Sequence, residues 1–486
     1  MNCFSELCIC NTFNFPIDQQ TYEECVNNIP SNVFGVFVTV RRSKYQKLKK
    51  WPEDIHGCQG YWNNNFSKMS KDLLIKKMLQ VALSATYQDS RKDYFGPVYR
   101  DALASFDVYF MLTPLIHVDS NTGLLHTPKK KEEVFDNKKY GLIYTDESGQ
   151  RATFLPHVFE NKSWKYIKQQ IIGKAGASNN GQFVAYKAKT FCDKMISLFN
   201  SRYLNFLLQI FIKSFIEKHY EKFVPYEVTK NSKIVVKKNE YVRNIATLYD
   251  IIQVYKHLNH TSYVLHKVNR DIEEYIKLYQ EIPVELRQAS SFLLMSLKEL
   301  EMDYTLQNSI CDHLYNAIPR MERKFELGEC LIALANVCPN KEILQDMQKK
   351  MSQYQTTNKN LPVDDIFRLN WDSKFLYALK KNNLYDPSML NDAIHLTNQI
   401  HNIYVQMWNN TVETNYLAVT FEAFTSLIPF ITGEVSIELY NNIFSLFYFL
   451  EQRRNKMGLY AFLNGTARVD ITGHVLNGLL ILQKLK

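Results

Sequence analysis

Beyond Phe191 the chain turns into an almost unbroken series of segments with helical periodicity, from "RYLNFLLQIFIKSFIEKHYEKF" to "ITGHVLNGLLILQKL". Apolar residues recur there every three to four positions, which predicts about twelve helices, or six helical hairpins. Such a run has few folded solutions, because each helix must bury its apolar stripe against a neighbour. Spacing between the segments is irregular, without the strict repeat of tetratricopeptide or ankyrin arrays. A closed ring of hairpins accommodates that better than an open solenoid.

The preceding stretch has a different rhythm. "VFGVFVTVR", "FDVYFMLTPL", "YGLIYTD", "ATFLPHV" and "QFVAYKAKTF" are short runs rich in β-branched and aromatic residues, and they predict strands. "KMSKDLLIKKMLQVALSAT" instead puts Leu74, Met78, Val81, Ala82 and Ala85 on one helical face, and "WKYIKQQIIGKAGA" predicts a helix ending near Gly173. The fold class follows: an α+β N-terminal domain, an antiparallel sheet with flanking helices, joined to an all-α C-terminal domain of toroid type. At 486 residues the chain is long enough for more than one core. We divide it into a 1–30 N-terminal segment, a 31–191 α+β domain and a 192–486 helical domain.

Charge follows this division. Residues 1–30 hold four acids and no Lys or Arg, whereas 31–191 hold 25 bases against 14 acids. A positive field over the middle domain suits an acidic or phosphorylated macromolecule. Nucleic acid is the less favoured partner, because "RRSKYQKLKK" and "TPKKKEEVFDNKK" read as solvated loop charges. "YLNFLLQIFIKSFI" breaks at Lys213 and "LAVTFEAFTSLIPFI" carries Glu422 and Pro429, so neither predicts a membrane span. The start "MNCFSELCICNTF" lacks the pattern of a signal peptide. An intracellular, cytoplasmic protein is expected, with its nine cysteines as reduced thiols. Cys3, Cys8, Cys10 and Cys25 lack paired zinc spacings, and Cys330, Cys338, His395, His401 and His474 show no ligand spacing either.

From about Val33 to Phe191 six landmarks stand in order: "FGVFVTV", "HGCQG", "ALSATYQDSR", "FDVYFMLTPL", "KYGLIYTDESGQRATFLPHV" and "GKAGA". This series resembles the AMMECR domain family. The resemblance implies a compact α+β unit and a surface site at Gly57, Cys58, Gly60, Asp89, Arg91, Pro156, Lys174 and Gly176. It leaves the activity and any cofactor open: proposals for the family run from a modification enzyme to an adaptor. The chain departs from the family pattern at His56, Gln59, Ser90 and His157. Loss of the arginine usual before Gly-Cys removes a strong anion-binding group, which points to a weakened ancestral activity.

Cys58 can be read in two ways. Beside His56, it has the makings of an activated nucleophile, with Asp89, Arg91 and Lys174 as further catalytic candidates. Free cysteine is also among the residue types most often buried as a small apolar group, and this packed reading is favoured. Asp89 and Arg91 likewise fit a helix-end ion pair, and Lys174 an anion contact or simple exposure.

The helical region resembles, more faintly, α/α-toroid proteins of the lanthionine-cyclase-like and six-hairpin glycosidase-like kinds. The resemblance rests on "KFVPYEV" with "NEYVRNIATLYDII", and on "GLYAFLNGTARVDITGHVLNGLLIL". It implies a site at the mouth of the ring, with Glu413, Glu422, Arg468, Asp470 and His474 as candidates. Against that, Glu413 suits the positive end of its helix and Glu422 a solvated helix face.

Overall fold

The computed structural model describes all residues except 1, 14–16, 18, 44–52, 64, 90–103, 127–132, 178–179, 193–200, 221–223, 260–262, 282–288, 322–323, 356–360, 409–411, 432–433, 456 and 485–486. Of the runs read as solvated loops, residues 44–50 of "RRSKYQKLKK" and 127–132 of "TPKKKEEVFDNKK" lie outside the described residues, as does Arg91, whereas 133–139 form β6 and the turn after it, with Phe135 and Asn137 buried. The chain forms two compact units, one built mainly from residues up to Ile196 and the other from Ser197 onward.

The first unit opens with helices α1 (Cys3–Phe13) and α2 (Gln19–Asn28), then strands β1 (Gly35–Ser43) and β2 (Glu53–Trp62), helix α3 (Lys71–Tyr87) and β3 (Ala104–Met111). Short strands β4 (Ile116–Val118), β5 (Leu124–Leu125) and β6 (Glu133–Val134) follow, then the hairpin β7 (Gly141–Asp146) and β8 (Arg151–Phe154). Helix α4 (Trp164–Ala175), β9 (Gly181–Tyr186) and β10 (Ala188–Phe191) complete it. Leu74, Met78, Val81, Ala82 and Ala85 of α3 are all buried, as their spacing predicts. Ser70 caps α3 by accepting from Leu73 N at 3.3 Å.

The strands form two antiparallel sheets, a four-stranded one ordered β10-β3-β1-β2 and a six-stranded one ordered β6-β5-β4-β9-β7-β8. "QFVAYKAKTF", which reads as one closing strand, is divided at Lys187 between them. The chain also passes from β3 to β4, and so from one sheet to the other, through Leu112 to Leu115, where "FDVYFMLTPL" ends, and the two crossing points bind each other: Leu112 N donates to Lys187 O at 2.8 Å and Lys187 N to Thr113 Oγ1 at 3.0 Å. Helix α4 continues past Gly173 to Ala175 and is closed by Gly176 in the left-handed region (φ 61°). Helices α1 and α2 pack within this unit, α1 lying against β3 and α3, and Phe106 N donates to Ser5 Oγ at 2.9 Å.

The second unit starts with α5 (Ser201–Phe211), a π-helical turn over Ile212–Ile216 that includes Lys213, and a last turn α6 (Glu217–His219). Strands β11 (Glu227–Val228) and β12 (Ile234–Val235) precede helices α7 (Tyr241–His257), α8 (Tyr263–Glu281), α9 (Ser290–Leu300), α10 (Tyr304–Ala317), α11 (Lys324–Val337) and α12 (Lys341–Gln355). Helices α13 (Ile366–Lys381), α14 (Leu390–Trp408), α15 (Thr414–Leu427) and α16 (Glu434–Gln452), strand β13 (Ala467–Arg468) and helix α17 (Val469–Lys484) end the chain.

Packing follows the hairpin order. Helix α7 packs on α9, α9 on α11, α11 on α13, α13 on α15, α15 on α17 and α17 back on α7. Six alternate helices thus close a ring, and α8, α10, α14 and α16 each pack on members of it. The expectation of reduced thiols is corrected at one place: Cys311 of α10 and Cys338, just past α11, form a disulfide. They are 27 residues apart, without a framework spacing to betray the pair. No helix among the described residues is long and apolar enough to cross a membrane.

Candidate functional site

Two places collect the residues of interest, one in each unit. In the first, β2 is an edge strand, paired with β1 so that Cys58 opposes Thr39 and Gly60 opposes Phe37. The register shifts beside Val40, leaving His56 as the extra residue of a bulge; the His56 side chain lies outside the described set. Immediately after the bulge the strand runs against the end of α3. A Cβ at Gly57 would stand 1.9 Å from Ala85 O, so only glycine permits that approach. Asp89, buried just past α3, accepts from Cys58 N at 2.9 Å. The edge strand's outward N–H is thereby satisfied within the fold.

Cys58 itself is half-buried, and its Sγ accepts from Thr39 Oγ1 at 3.2 Å. It packs against a cluster that includes Phe37, Tyr109, Leu155 and Tyr186. Phe37 stacks on both Trp62 and Tyr186, with centroids 5.5 and 5.3 Å away. Gly60 leaves room for that ring, since a Cβ there would lie 1.9 Å from Phe37 Cδ1. Burial, with the Cys58 sulfur beside it, holds the Tyr186 hydroxyl well above the usual tyrosine range.

The other family positions sit elsewhere in the unit. Pro156 is buried after β8, Gly176 caps α4, and the exposed Lys174 donates to Thr153 O at 2.7 Å with its ammonium 5.1 Å from the Phe154 ring centre. Lys174 therefore ties α4 to β8. Gly57, Cys58 and Asp89 come together at the α3 end of β2; the contacts of Lys174 and Gly176 are with β8 and within α4.

The second place is the inside of the helical ring. A chamber of about 400 Å³ is lined by Glu240, Arg243, Asp250, Glu329, Lys374, Arg468, Asp470 and His474 among others. A narrower one of about 90 Å³ shares Phe292, Glu329, Trp371, Lys374 and Asn477 with it and adds Tyr249, Gln253, Asn336, Lys381 and Lys484. The wide chamber is lined from the first turns of α7 and α17, the narrow one from the last turns of α11, α13 and α17.

Three carboxyls set the character of this interior. Glu422, expected on a solvated face, is fully buried. It is bound by Lys374 Nζ at 2.8 Å, His474 Nδ1 at 2.7 Å and Asn370 Nδ2 at 2.8 Å. Burial works to raise its pKa, but Lys374 and His474 together outweigh it and hold the group at about 2. Asp250 faces the opposite balance: burial pushes it up to about 7 against the pull of Lys374 and the Asn477 hydrogen bond of 3.0 Å. Burial likewise pushes Glu329 to about 8, Lys374 counteracting. One carboxylate stays ionised while two carboxyls hold protons near neutral pH, the separation that acid–base chemistry uses. Trp371 stands beside them, with Lys374 Nζ 4.6 Å from its ring centre.

Of the residues expected at the mouth, Arg468 holds Asp470 through two bonds of 3.0 and 2.7 Å, and Arg243 Nε reaches the same carboxylate at 3.3 Å. Both arginines, Asp470 and His474 line the wide chamber. Glu413 does not line either chamber; it precedes α15 and accepts from Leu463 N at 3.3 Å. Sequence reasoning missed Asp250, Glu329, Lys374 and Trp371. Among the described residues no group of three or more His, Cys, Asp or Glu side chains is arranged to hold a metal ion.

The family model AMMECR1 matches residues 10–194, which takes in both sheets and the Cys58 site but leaves the helical ring uncovered. No curated protein matches the chain.

Proposed function

We propose that this is a two-part protein in which the AMMECR1 part is a binding module and the ring of helices holds a small-molecule site with acid–base capacity. The observation that carries the second half is the meeting of Asp250, Glu329 and Glu422, from three different helices, around two adjoining chambers that share Glu329, with opposed proton affinities. The closed packing of six alternate helices supports the α/α-toroid reading of residues 192–486. In that reading Asp250 and Glu329 exchange protons with the ligand, while Glu422, neutralised by Lys374 and His474, fixes the wall between them.

For the AMMECR1 part the favoured partner is an acidic or phosphorylated macromolecule, in keeping with its positive balance and with exposed Lys162, Lys165 and Lys174 on and beside α4. The contacts described around Cys58 serve the fold: the glycine approach to α3, the Asp89 acceptor and the Thr39 hydroxyl. A second reading, covalent modification of the partner through Cys58, draws on the half-exposed sulfur alone.

Titrating the carboxyl carbons by NMR tests the ring site directly. Two groups ionising near neutral pH, one lost in Asp250→Asn and the other in Glu329→Gln, support it; ordinary carboxyl midpoints for both defeat it. Affinity capture with wild type and Cys58→Ser tests the module. Equal recovery of one partner favours binding, whereas loss with the serine variant favours thiol chemistry.

A further inference from the structure

The two ends of the ring interior differ in kind. Around the wide chamber cations and anions alternate, and Asp470 already bridges Arg243 and Arg468. The narrow chamber has a mostly apolar body, formed by Tyr249, Phe292, Met295, Trp371, Leu480 and Ile481. Its open end is lined by Lys381 and Lys484, the last residues of α13 and α17. Both are exposed.

We propose that this narrow chamber binds an organic anion, its apolar body lying among Tyr249, Trp371 and Leu480 and its charged head held between Lys381 and Lys484. The inference rests on the reading of the ring as a ligand site and gives that ligand a chemical class. Lysines at helix ends also complement the negative C-terminal dipole, and that alone would account for one on each helix. Here they line the same opening. The nearby carboxylate, Glu299, is already bound by Lys256 Nζ at 2.9 Å, and among the described residues no acidic group lies within ion-pair distance of Lys484. Neighbouring protein and the Lys381 charge both hold the Lys484 ammonium below the usual lysine range, a cost that an incoming anion relieves. An aromatic-walled chamber with a cationic rim orders such a ligand head outward, and Glu329, at the junction with the wide chamber, meets its apolar end.

Calorimetric titration of the full chain with butyrate and with the uncharged butan-1-ol, whose short chains suit a chamber of about 90 Å³, tests this. The expected result is binding of the acid at least about tenfold tighter than the alcohol, a preference lost in the Lys381→Gln/Lys484→Gln double variant and retained in Lys350→Gln, an exposed position on α12 that lines neither chamber. Circular dichroism verifies that the double variant is folded. Equal affinity for acid and alcohol overturns the anion assignment, and so does no binding of either. The reading of the ring as an acid–base site is judged separately: it survives either result if Asp250 and Glu329 titrate near neutral pH, and falls with it if they do not.

Discussion

Gly473 of α17 lies against Asp250 of α7 so closely that a Cβ at position 473 would stand 2.0 Å from Asp250 Oδ2. The missing side chain is the space that the carboxyl occupies. Gly473→Ala is therefore expected to force Asp250 off Asn477 and to cost about 1–3 kcal/mol in urea unfolding. The NMR titration of Asp250 should move in the same variant.

The buried Asp250 gives stability a defined pH dependence. Its folded pKa is raised to about 7, above the unfolded value of about 3.9. Between those values the unfolded chain ionises and the folded one does not, so this group's contribution is intact at low pH and is lost as pH rises through the window. Asp250→Asn should flatten that decline, on the order of 3 kcal/mol between about pH 4 and about pH 7. Thermal unfolding across pH measures it.

Glu422 works in the opposite sense. Its folded pKa lies at about 2, below the usual glutamate value, so its contribution is present above about pH 4.5 and is lost as pH falls toward 2. Removing the cation that holds it should be severe at neutral pH. Lys374→Met strands a buried carboxylate and is expected to cost about 3–5 kcal/mol in chemical unfolding, with partial recovery in Lys374→Met/Glu422→Gln.

The Cys311–Cys338 disulfide closes a loop with a sequence separation of 27. Constraint of the unfolded chain by such a loop stabilises the fold by about 3–4 kcal/mol. Reduction, or Cys311→Ser with Cys338→Ser, should lower the melting temperature of the helical unit, and mass spectrometry of the alkylated protein should show that pair protected.

At the edge strand, Gly57→Ala places a methyl into the Ala85 carbonyl and is expected to destabilise the first unit by about 1–3 kcal/mol. Cys58→Ser keeps the Thr39 and Asp89 contacts within reach and should cost less than about 1.5 kcal/mol. A Cys58→Ser loss comparable to that of Gly57→Ala would count against the packed reading of the thiol.

The sequence pattern exposes those parts of the fold that rest on local order. The buried face of α3 follows from its 3.6-residue period, and β1, β3 and the β7–β8 hairpin follow from β-branched runs and a turn. Gly57 and Asp89 stand out because each sits in a short landmark, "HGCQG" and "ALSATYQDSR". The ring interior is different in kind. Asp250, Glu329, Trp371, Lys374 and Glu422 come from four helices across some 170 residues, and each taken alone looks like one polar or aromatic position on an amphipathic helix. Only closure of the ring brings them together, so no spacing reveals them. Burial of Glu422 is hidden for the same reason: its cationic partners lie 48 and 52 positions away.

The paired crossings at Leu112 to Leu115 and at Lys187 carry one more consequence. β3–β4 and β9–β10 are two halves of a single bent ribbon, with Leu112, Thr113 and Lys187 stitching it at the fold. Neither sheet can fray at that seam without dragging the other, so the amide protons on both sides should exchange with solvent as one cooperative unit.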